Sequence, residues 1–423
     1  MAKNWAANRK RFAKHMEPNS ALILFAGEAP VKRGDEFYPF APQRNFYYMT
    51  GIDKAKLIFV MLKNGRGEVA ARLYLERFDE TAAKWVGAAL GEDAAEQASG
   101  INEFSYLDAF EDDLAQIFVR QSIGTVYIDM ENRSLSAPLP LALSFAKQLG
   151  ECFPDIKRVN AYPLFAWLRA VKSKDEVQSI RRAIQITRDG LYAMMRKARP
   201  GMMEYEIEAH FQYTLMKNGV RQPAFATIAA SGANAAVLHY GDNNHRTADG
   251  DLMLCDLGAQ VNWYSADITR TFPVNGTFTE RQKQLYNIVL EGQRRVIATI
   301  KPGIAFASLN EILKAFYAKE LKKIGLIDKK DEVGRYYYHG VSHMLGLETH
   351  DIGRGTEDTL KKGMVLTVEP GLYIAEENIG IRIEDDVLVT EGGCEVLSAD
   401  IVKTTDEIEA LMGRKGRSHV REI

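Results

Sequence analysis

The sequence predicts an α+β protein of two domains, a small α/β domain followed by a larger domain built as an internal duplication. Three observations carry that expectation. At 423 residues the chain exceeds the usual size of a single hydrophobic core. Residues 1–165 mix short β-rich runs with helical segments. Farther on, a glycine, an apolar run ending on an acid and a second glycine occur twice, 113 residues apart.

In chain order, MAKNWAANRKRFAKHME reads as an amphipathic helix, with Trp5, Phe12 and Met16 near helical spacing. SALILFAG (20–27), LIFVML (57–62) and TVYIDM (125–130) read as strands. ARLYLE (71–76) follows the turn Asn64-Gly65 and completes a hairpin with LIFVML. TAAKWVGAALG (81–91) is helical in pattern, and its Trp85 is read as packing. Residues 1–165 contain no cluster of ligands or nucleophiles. A helical stretch opens near Pro163 and runs, with breaks, past Ile180. Ser173 and Glu176 form a capping box for the helix DEVQSIRRA, so the second domain is assigned to residues 170–423.

Pro200-Gly201 stops the next helix, and Glu204 to Lys217 forms another. Pro302-Gly303 recurs 102 residues later, again between an apolar helix and an amphipathic one. Gly250, Asp256 and Gly258 then match Gly363, Glu369 and Gly371. Each copy reads as a turn, a strand ending on an acid, a glycine and a return strand. The repeat predicts two α+β halves related by a pseudo-two-fold, their strands forming one curved sheet. Chance resemblance between two buried strands is the alternative.

A hydrophobic fraction of 46% with 26% charged residues describes a globular chain that needs no disulfides or structural metal to build its core. A net charge of −2 gives no reason to expect nucleic acid or an anionic membrane as partner. Arg9-Lys10-Arg11 and Lys322-Lys323 read as solvated helix faces. Cys152, Cys255 and Cys394 form no closed disulfide set and no CxxC pair, which favours a reducing, cytoplasmic location. No signal-peptide core and no run near the ~20 apolar residues of a membrane span is found. A soluble protein is expected.

The chemistry lies in the second domain. In LMLCDLG, Leu252, Leu254 and Asp256 share one strand face. A carboxylate in line with a strand's buried side is costly unless it is paired or metal-bound. Asp267 falls where the returning strand passes Asp256; Glu369 ends MVLTVEPG, and Glu384 lies in GIRIEDDVLVT. Four acids converging from two hairpins repel one another unless cations neutralise them. The plainer alternative is that they cap strands and pair with Arg270 and Arg382. HGVSHMLGLETHD adds His339, His343 and His350 among glycines. Carboxylate-rich ligation with an imidazole suits Mn²⁺, Co²⁺ or Zn²⁺. Two such ions about 3.5–4 Å apart would activate a water and polarise a carbonyl together.

SADITRTFPVNGTF, HGVSHMLGLETHD, VLTVEPGLYI and GIRIEDDVLV resemble the signature blocks of aminopeptidase P within the pita-bread metallopeptidases, a group that includes prolidase, methionine aminopeptidase and creatinase. YPFAPQRNFYYMTGID and IVKTTDEIEALM extend the resemblance over nearly the whole chain. It implies a pita-bread catalytic domain with an internal pseudo-two-fold repeat, preceded by the α/β accessory domain. It implies an aminopeptidase that cleaves between an N-terminal residue and a following proline, using two divalent ions of the Mn²⁺ type. In that family's pattern Asp256 chelates one ion and Asp267 bridges both. His343 and Glu369 bind the other ion, and Glu384 is the second bridge. Glu369 also matches the proton shuttle of the metal-bridging water and leaving amine. His239 matches a histidine near the scissile peptide, and His350 one that steadies the tetrahedral intermediate. His339, Tyr373 and Arg382 match positions that orient ligands or substrate. The family's members are usually homo-oligomers, so a dimer or tetramer is expected. Met344 and the tyrosine-rich RYYYHG depart from the usual pattern without touching a ligand. Prolidase shares the site and is the nearest rival reading; a non-catalytic binding module is a remoter one.

Overall fold

The structure, a computed structural model, describes residues 2–132, 134–353 and 359–413, with no side chains described at residues 2–4. The chain divides into two compact units, Met1–Leu168 and Arg169–Ile423.

The first unit holds a six-stranded mixed sheet. Its strands are β1 (Ser20–Phe25), β2 (Ile58–Lys63), β3 (Val69–Leu75), β4 (Glu103–Tyr106), β5 (Thr125–Ile128) and β6 (Lys157–Asn160), in the order β4-β3-β2-β1-β5-β6. Strands β1, β2 and β3 are antiparallel, with Ile23 opposite Val60 and Ile58 opposite Tyr74. The outer pairs β3–β4 and β1–β5–β6 are parallel, as expected where helices connect the strands. Ile23, Val60, Tyr74 and Val126 pack with Phe110, Leu114 and Phe118 into the core. The hairpin loop is longer than an Asn-Gly turn. The Asn64 side chain accepts from the Arg66 and Glu68 amides, and Gly67 takes the positive φ of 83°. The N-terminal helix Ala2–Ala13 buries Trp5 and Phe12, and Met16 is buried just beyond it. Trp85 departs from expectation. Its helix, Glu80–Val86, buries no residue, and the indole is 85% exposed.

The second unit repeats a helical hairpin followed by strands. Helices α1 (Lys174–Lys197) and α2 (Glu204–Lys217) precede β7 (Ile228–Ser231), β8 (Leu252–Leu257) and β9 (Ile268–Pro273). Helices α3 (Glu280–Thr299) and α4 (Phe306–Lys323) precede β10 (Val365–Val368), β11 (Gly371–Ile374), β12 (Ile379–Arg382), β13 (Asp385–Val389) and β14 (Cys394–Val396). The Ser173–Glu176 capping box opens α1, and a second one, Thr279–Gln282, opens α3. Equivalent glycines have equivalent backbones: φ is 89° at Gly201 and 91° at Gly303, 90° at Gly250 and 89° at Gly363. These left-handed positions favour glycine, so the repeat in sequence is also a repeat in conformation.

Among the described residues the strands do not make one continuous hydrogen-bonded sheet. They form the antiparallel ladders β7-β8-β9 and β10-β13-β14 and the hairpin β11-β12. Side chains replace ladder bonds where the halves meet. Arg382 N–H donates to Thr271 Oγ1, whose hydroxyl donates to the Arg382 carbonyl, while the Glu384 N–H still reaches the Thr269 carbonyl.

Candidate metal centre

Strand alternation aims the acids. Asp256 stands opposite Thr269 on the β8–β9 ladder, and Asp267 lies two residues before Thr269, so all three share one face. On the other half, the β10–β13 ladder ends at Val368 opposite Asp385, and the β11–β12 ladder begins at Gly371 opposite Arg382. Glu369 and Glu384 sit in the gap between those ladders.

The structure brings Asp267, His343 and Glu384 together, with one ligand-type atom from each within 4.8 Å of the others. His343 Nε2 is 3.3 Å from Asp267 Oδ2 and 3.6 Å from Glu369 Oε1. The His343 backbone is clamped to β10, since its N–H donates to Thr367 Oγ1 and its carbonyl accepts from Thr367 N–H. Its Nδ1 lies 3.1 Å from the Met344 carbonyl. A proton on Nδ1 then leaves the Nε2 lone pair facing the acids.

Asp256 is held differently. Its Oδ2 accepts from Arg382 Nη2 at 2.7 Å, so pairing with Arg382 is realised for this acid. Its Oδ1 is buried with no hydrogen-bond partner among the described residues. Arg382 also donates to Thr269 Oγ1 and to the Tyr373 hydroxyl, and Tyr373 stands 2.9 Å from His339 Nε2. His339 Nδ1 lies 2.7 Å from the Gly340 carbonyl and 3.8 Å from Glu369 Oε2. A chain His339–Tyr373–Arg382–Asp256 thus lines one side. Arg270 pairs instead with Asp385, and its Nη1 donates to the Glu384 and Thr269 carbonyls.

The electrostatics are those of a cation site. Burial, then Glu384 and Asp256, push Asp267 far above the ordinary carboxylate range. Burial, then Asp256 and Glu369, do the same for Glu384. Burial pushes Glu369 up to about 8, with Arg382 opposing and Asp256 assisting. Burial and His350 bring His343 down to about 4; burial and Arg382 bring His339 to about 4. Neutral imidazoles and carboxylates that resist ionisation without a counter-charge are what divalent ions need and relieve. With the orphaned Asp256 oxygen, this donor set fits divalent metal.

His239 and His350 are both exposed. The His350 ring meets His343 edge-on, with centroids 4.4 Å apart. His239 is close enough to His339 for its charge to lower the latter's pKa. Sequence reasoning passed over Thr269 and Thr367. Thr269 donates to Glu384 Oε2 at 2.6 Å, and Thr367 fixes His343. A signal existed: each threonine lies two residues from an acid at the end of its strand, the spacing that places side chains on one face of an extended chain. Asp386 was also missed. Its Oδ2 accepts from the Asp267 N–H, and burial lifts its carboxyl far above the usual range.

Two family models match the chain: metallopeptidase family M24 over residues 178–391, and the aminopeptidase P N-terminal domain over residues 5–127. An Escherichia coli Xaa-Pro aminopeptidase is 34% identical over 96% of each chain. A mouse Xaa-Pro dipeptidase is 28% identical over 96% of this chain and 93% of its own. Among solved structures, a putative aminopeptidase P from Bacillus anthracis superposes with a TM-score of 0.95 at 47% identity, covering 97% of this chain and 98% of that one. Zinc-substituted E. coli aminopeptidase P in complex with product gives 0.91 at 32% identity, over 99% of both.

Proposed function

The chain belongs to metallopeptidase family M24 and carries an aminopeptidase P N-terminal domain, and we propose that it removes an N-terminal residue that precedes proline. The observation that carries this reading is the group of Asp267, His343 and Glu384, with both acids buried, flanked by Asp256 and Glu369. Asp256 would hold one ion and His343 with Glu369 the other, with Asp267 and Glu384 shared by both. The ions supply water activation and carbonyl polarisation when bound. Mn²⁺ is the proposed native metal, supported by ligation through four carboxylates and one imidazole, with Co²⁺ and Zn²⁺ as competitors.

The chain's own groups do the rest. Glu369, between His339 and His343, takes a proton from the attacking water and returns it to the departing proline nitrogen. His350 donates to the carbonyl oxygen as negative charge develops there. His239 borders the scissile peptide. Arg382 and Tyr373 hold Asp256 and His339 in orientation through the hydrogen bonds described above.

The substrate is a peptide with proline in second position. The aminopeptidase reading stands above prolidase because the aminopeptidase relative is the nearer of the two in identity. A homo-oligomer, dimer or tetramer, is proposed by analogy with the family. The three free cysteines support a reducing, cytoplasmic setting. No described helix is long and apolar enough to cross a membrane, and the near-neutral charge supports neither a nucleic-acid nor a membrane partner.

One comparison tests the proposal: turnover of a Xaa-Pro dipeptide against a Xaa-Pro-Xaa tripeptide by the Mn²⁺-loaded protein. The tripeptide should be preferred; a strong dipeptide preference transfers the assignment to prolidase. Chelation should abolish activity and Mn²⁺ restore it. Activity that survives complete metal removal would sink the two-ion centre.

A further inference from the structure

The two strands that deliver Glu369 and Glu384 lose their pairing at the acids. The β10–β13 ladder stops at Val368 opposite Asp385, and the β11–β12 ladder starts at Gly371 opposite Arg382. Glu369-Pro370 on one strand and Ile383-Glu384 on the other lie between them. The acids' own amides turn outward, Glu369 N–H to the Val341 carbonyl and Glu384 N–H to the Thr269 carbonyl. Within the gap, one backbone bond crosses, from Ile383 N–H to the Pro370 carbonyl at 3.2 Å.

A side chain spans the same gap. Gln293, on α3 and fully buried, donates through Nε2 to the Val368 carbonyl and to the Ile383 carbonyl, each at 3.1 Å. Both partners only accept, so the nitrogen must face them, and its two protons match the two acceptors. Val368 and Ile383 each immediately precede an acid. A carbonyl and the following nitrogen share one planar peptide unit, so holding these two oxygens holds the backbone from which Glu369 and Glu384 project.

We propose that Gln293 is a positioning residue that sets the separation of Glu369 and Glu384 across the break in pairing, and with it the geometry offered to metal. The amide's other atom supports this. Oε1 is buried without a hydrogen-bond partner among the described residues, a cost that an apolar residue of the same volume would avoid. The donor is therefore the reason for an amide at this place. Metal ligation tolerates only about 0.2 Å of error in ligand distance, so a small splaying of the strands is felt at the ions.

The inference rests on the metal centre proposed above, and one experiment separates the two. Mn²⁺ is titrated calorimetrically into the metal-free full-length protein, into Gln293→Met, which keeps volume and loses both donors, and into Gln293→Glu. Far-ultraviolet circular dichroism and thermal melting in chelator report the fold. Outer-shell changes of this kind weaken metal affinity about 10–100-fold, and that loss is expected at one or both sites, with kcat lowered and KM nearly unchanged. Should the methionine variant not fold, the glutamate variant, which keeps one donor when protonated, decides. Wild-type Mn²⁺ affinity in a folded variant overturns the role of Gln293 alone. A wild-type protein that binds no second equivalent of Mn²⁺ overturns the two-ion centre itself.

Discussion

Glu369 stands between two imidazoles, 3.6 Å from His343 and 3.8 Å from His339, so any proton it carries lies among groups held neutral by burial. Replacing it with glutamine keeps shape and removes the base. Glu369→Gln is expected to lower kcat by about 10²–10⁴-fold, the usual worth of a positioned acid–base group, and to weaken metal binding; assaying a Xaa-Pro-Xaa tripeptide at saturating Mn²⁺ reads the first effect. Full activity would remove Glu369 from the reaction. His350 differs, being exposed, with its ring edge-on to His343. His350→Ala should lose roughly 10²–10³-fold in kcat, as for a lost oxyanion donor, while elemental analysis still finds two ions per chain. Loss of both ions would reassign it.

At the scale of elements, two features hold the hairpins and loops that carry these side chains. Gly258 lies between the two acids of the β8–β9 hairpin. A Cβ there would meet the Ala266 carbonyl oxygen at 2.0 Å and the Phe225 ring at 2.9 Å. Backbone cannot yield as a flexible side chain can, so Gly258→Ala should destabilise the metal-free protein by at least ~1–3 kcal/mol, measured by urea unfolding in chelator. The loop bearing His343 and His350 is anchored at its far end by Asp351, whose carboxylate meets Arg169 and Lys172, all three side chains almost fully buried. Burial opposes ionisation of Asp351, but the two cations outweigh it and hold its carboxyl below the ordinary 3.8. Breaking such a pair strands buried charge, and Asp351→Asn is expected to cost about 3–5 kcal/mol near neutral pH. The carboxylate's contribution is present above its unfolded pKa and is lost as pH falls through the depressed folded value. The gap between wild type and variant should therefore narrow below about pH 3.8; a gap unchanged into strong acid would contradict the pairing.

At the scale of the molecule, a cluster of four carboxylates makes the metal-free second unit work against its own repulsion. Ions that bind only the folded chain add stability by mass action, about 4 kcal/mol at a thousandfold excess over Kd. The melting temperature should rise with Mn²⁺ and fall on chelation, and identical midpoints would mean that no ion is held by the fold. Much of this plan was legible in the chain: the repeat at Gly250 and Gly363, the alternation that turns Leu252, Leu254 and Asp256 to one face, and the Ser173–Glu176 cap all recur in the structure. Other parts were not. Trp85 has a packing residue's composition but sits on a helix that buries no residue. Neither the choice of Arg382 rather than Arg270 as the partner of Asp256, nor the reach of Gln293 from α3 to two strands, leaves any local trace.

The division has a physical basis. Residue type and a two-residue period decide which side chains face inward on a strand, and glycine decides where the backbone can take positive φ; both are local, so the strand-end placement of the acids and the duplicated turns could be read from order alone. Resemblance supplied the roles. What only the folded chain decided was distance between groups more than 70 residues apart: Gln293 to Val368, Asp267 to Glu384, Asp256 to Arg382. Those separations depend on ladder register, on where the pairing opens and on how α3 lies across it, none of which has a period in the sequence.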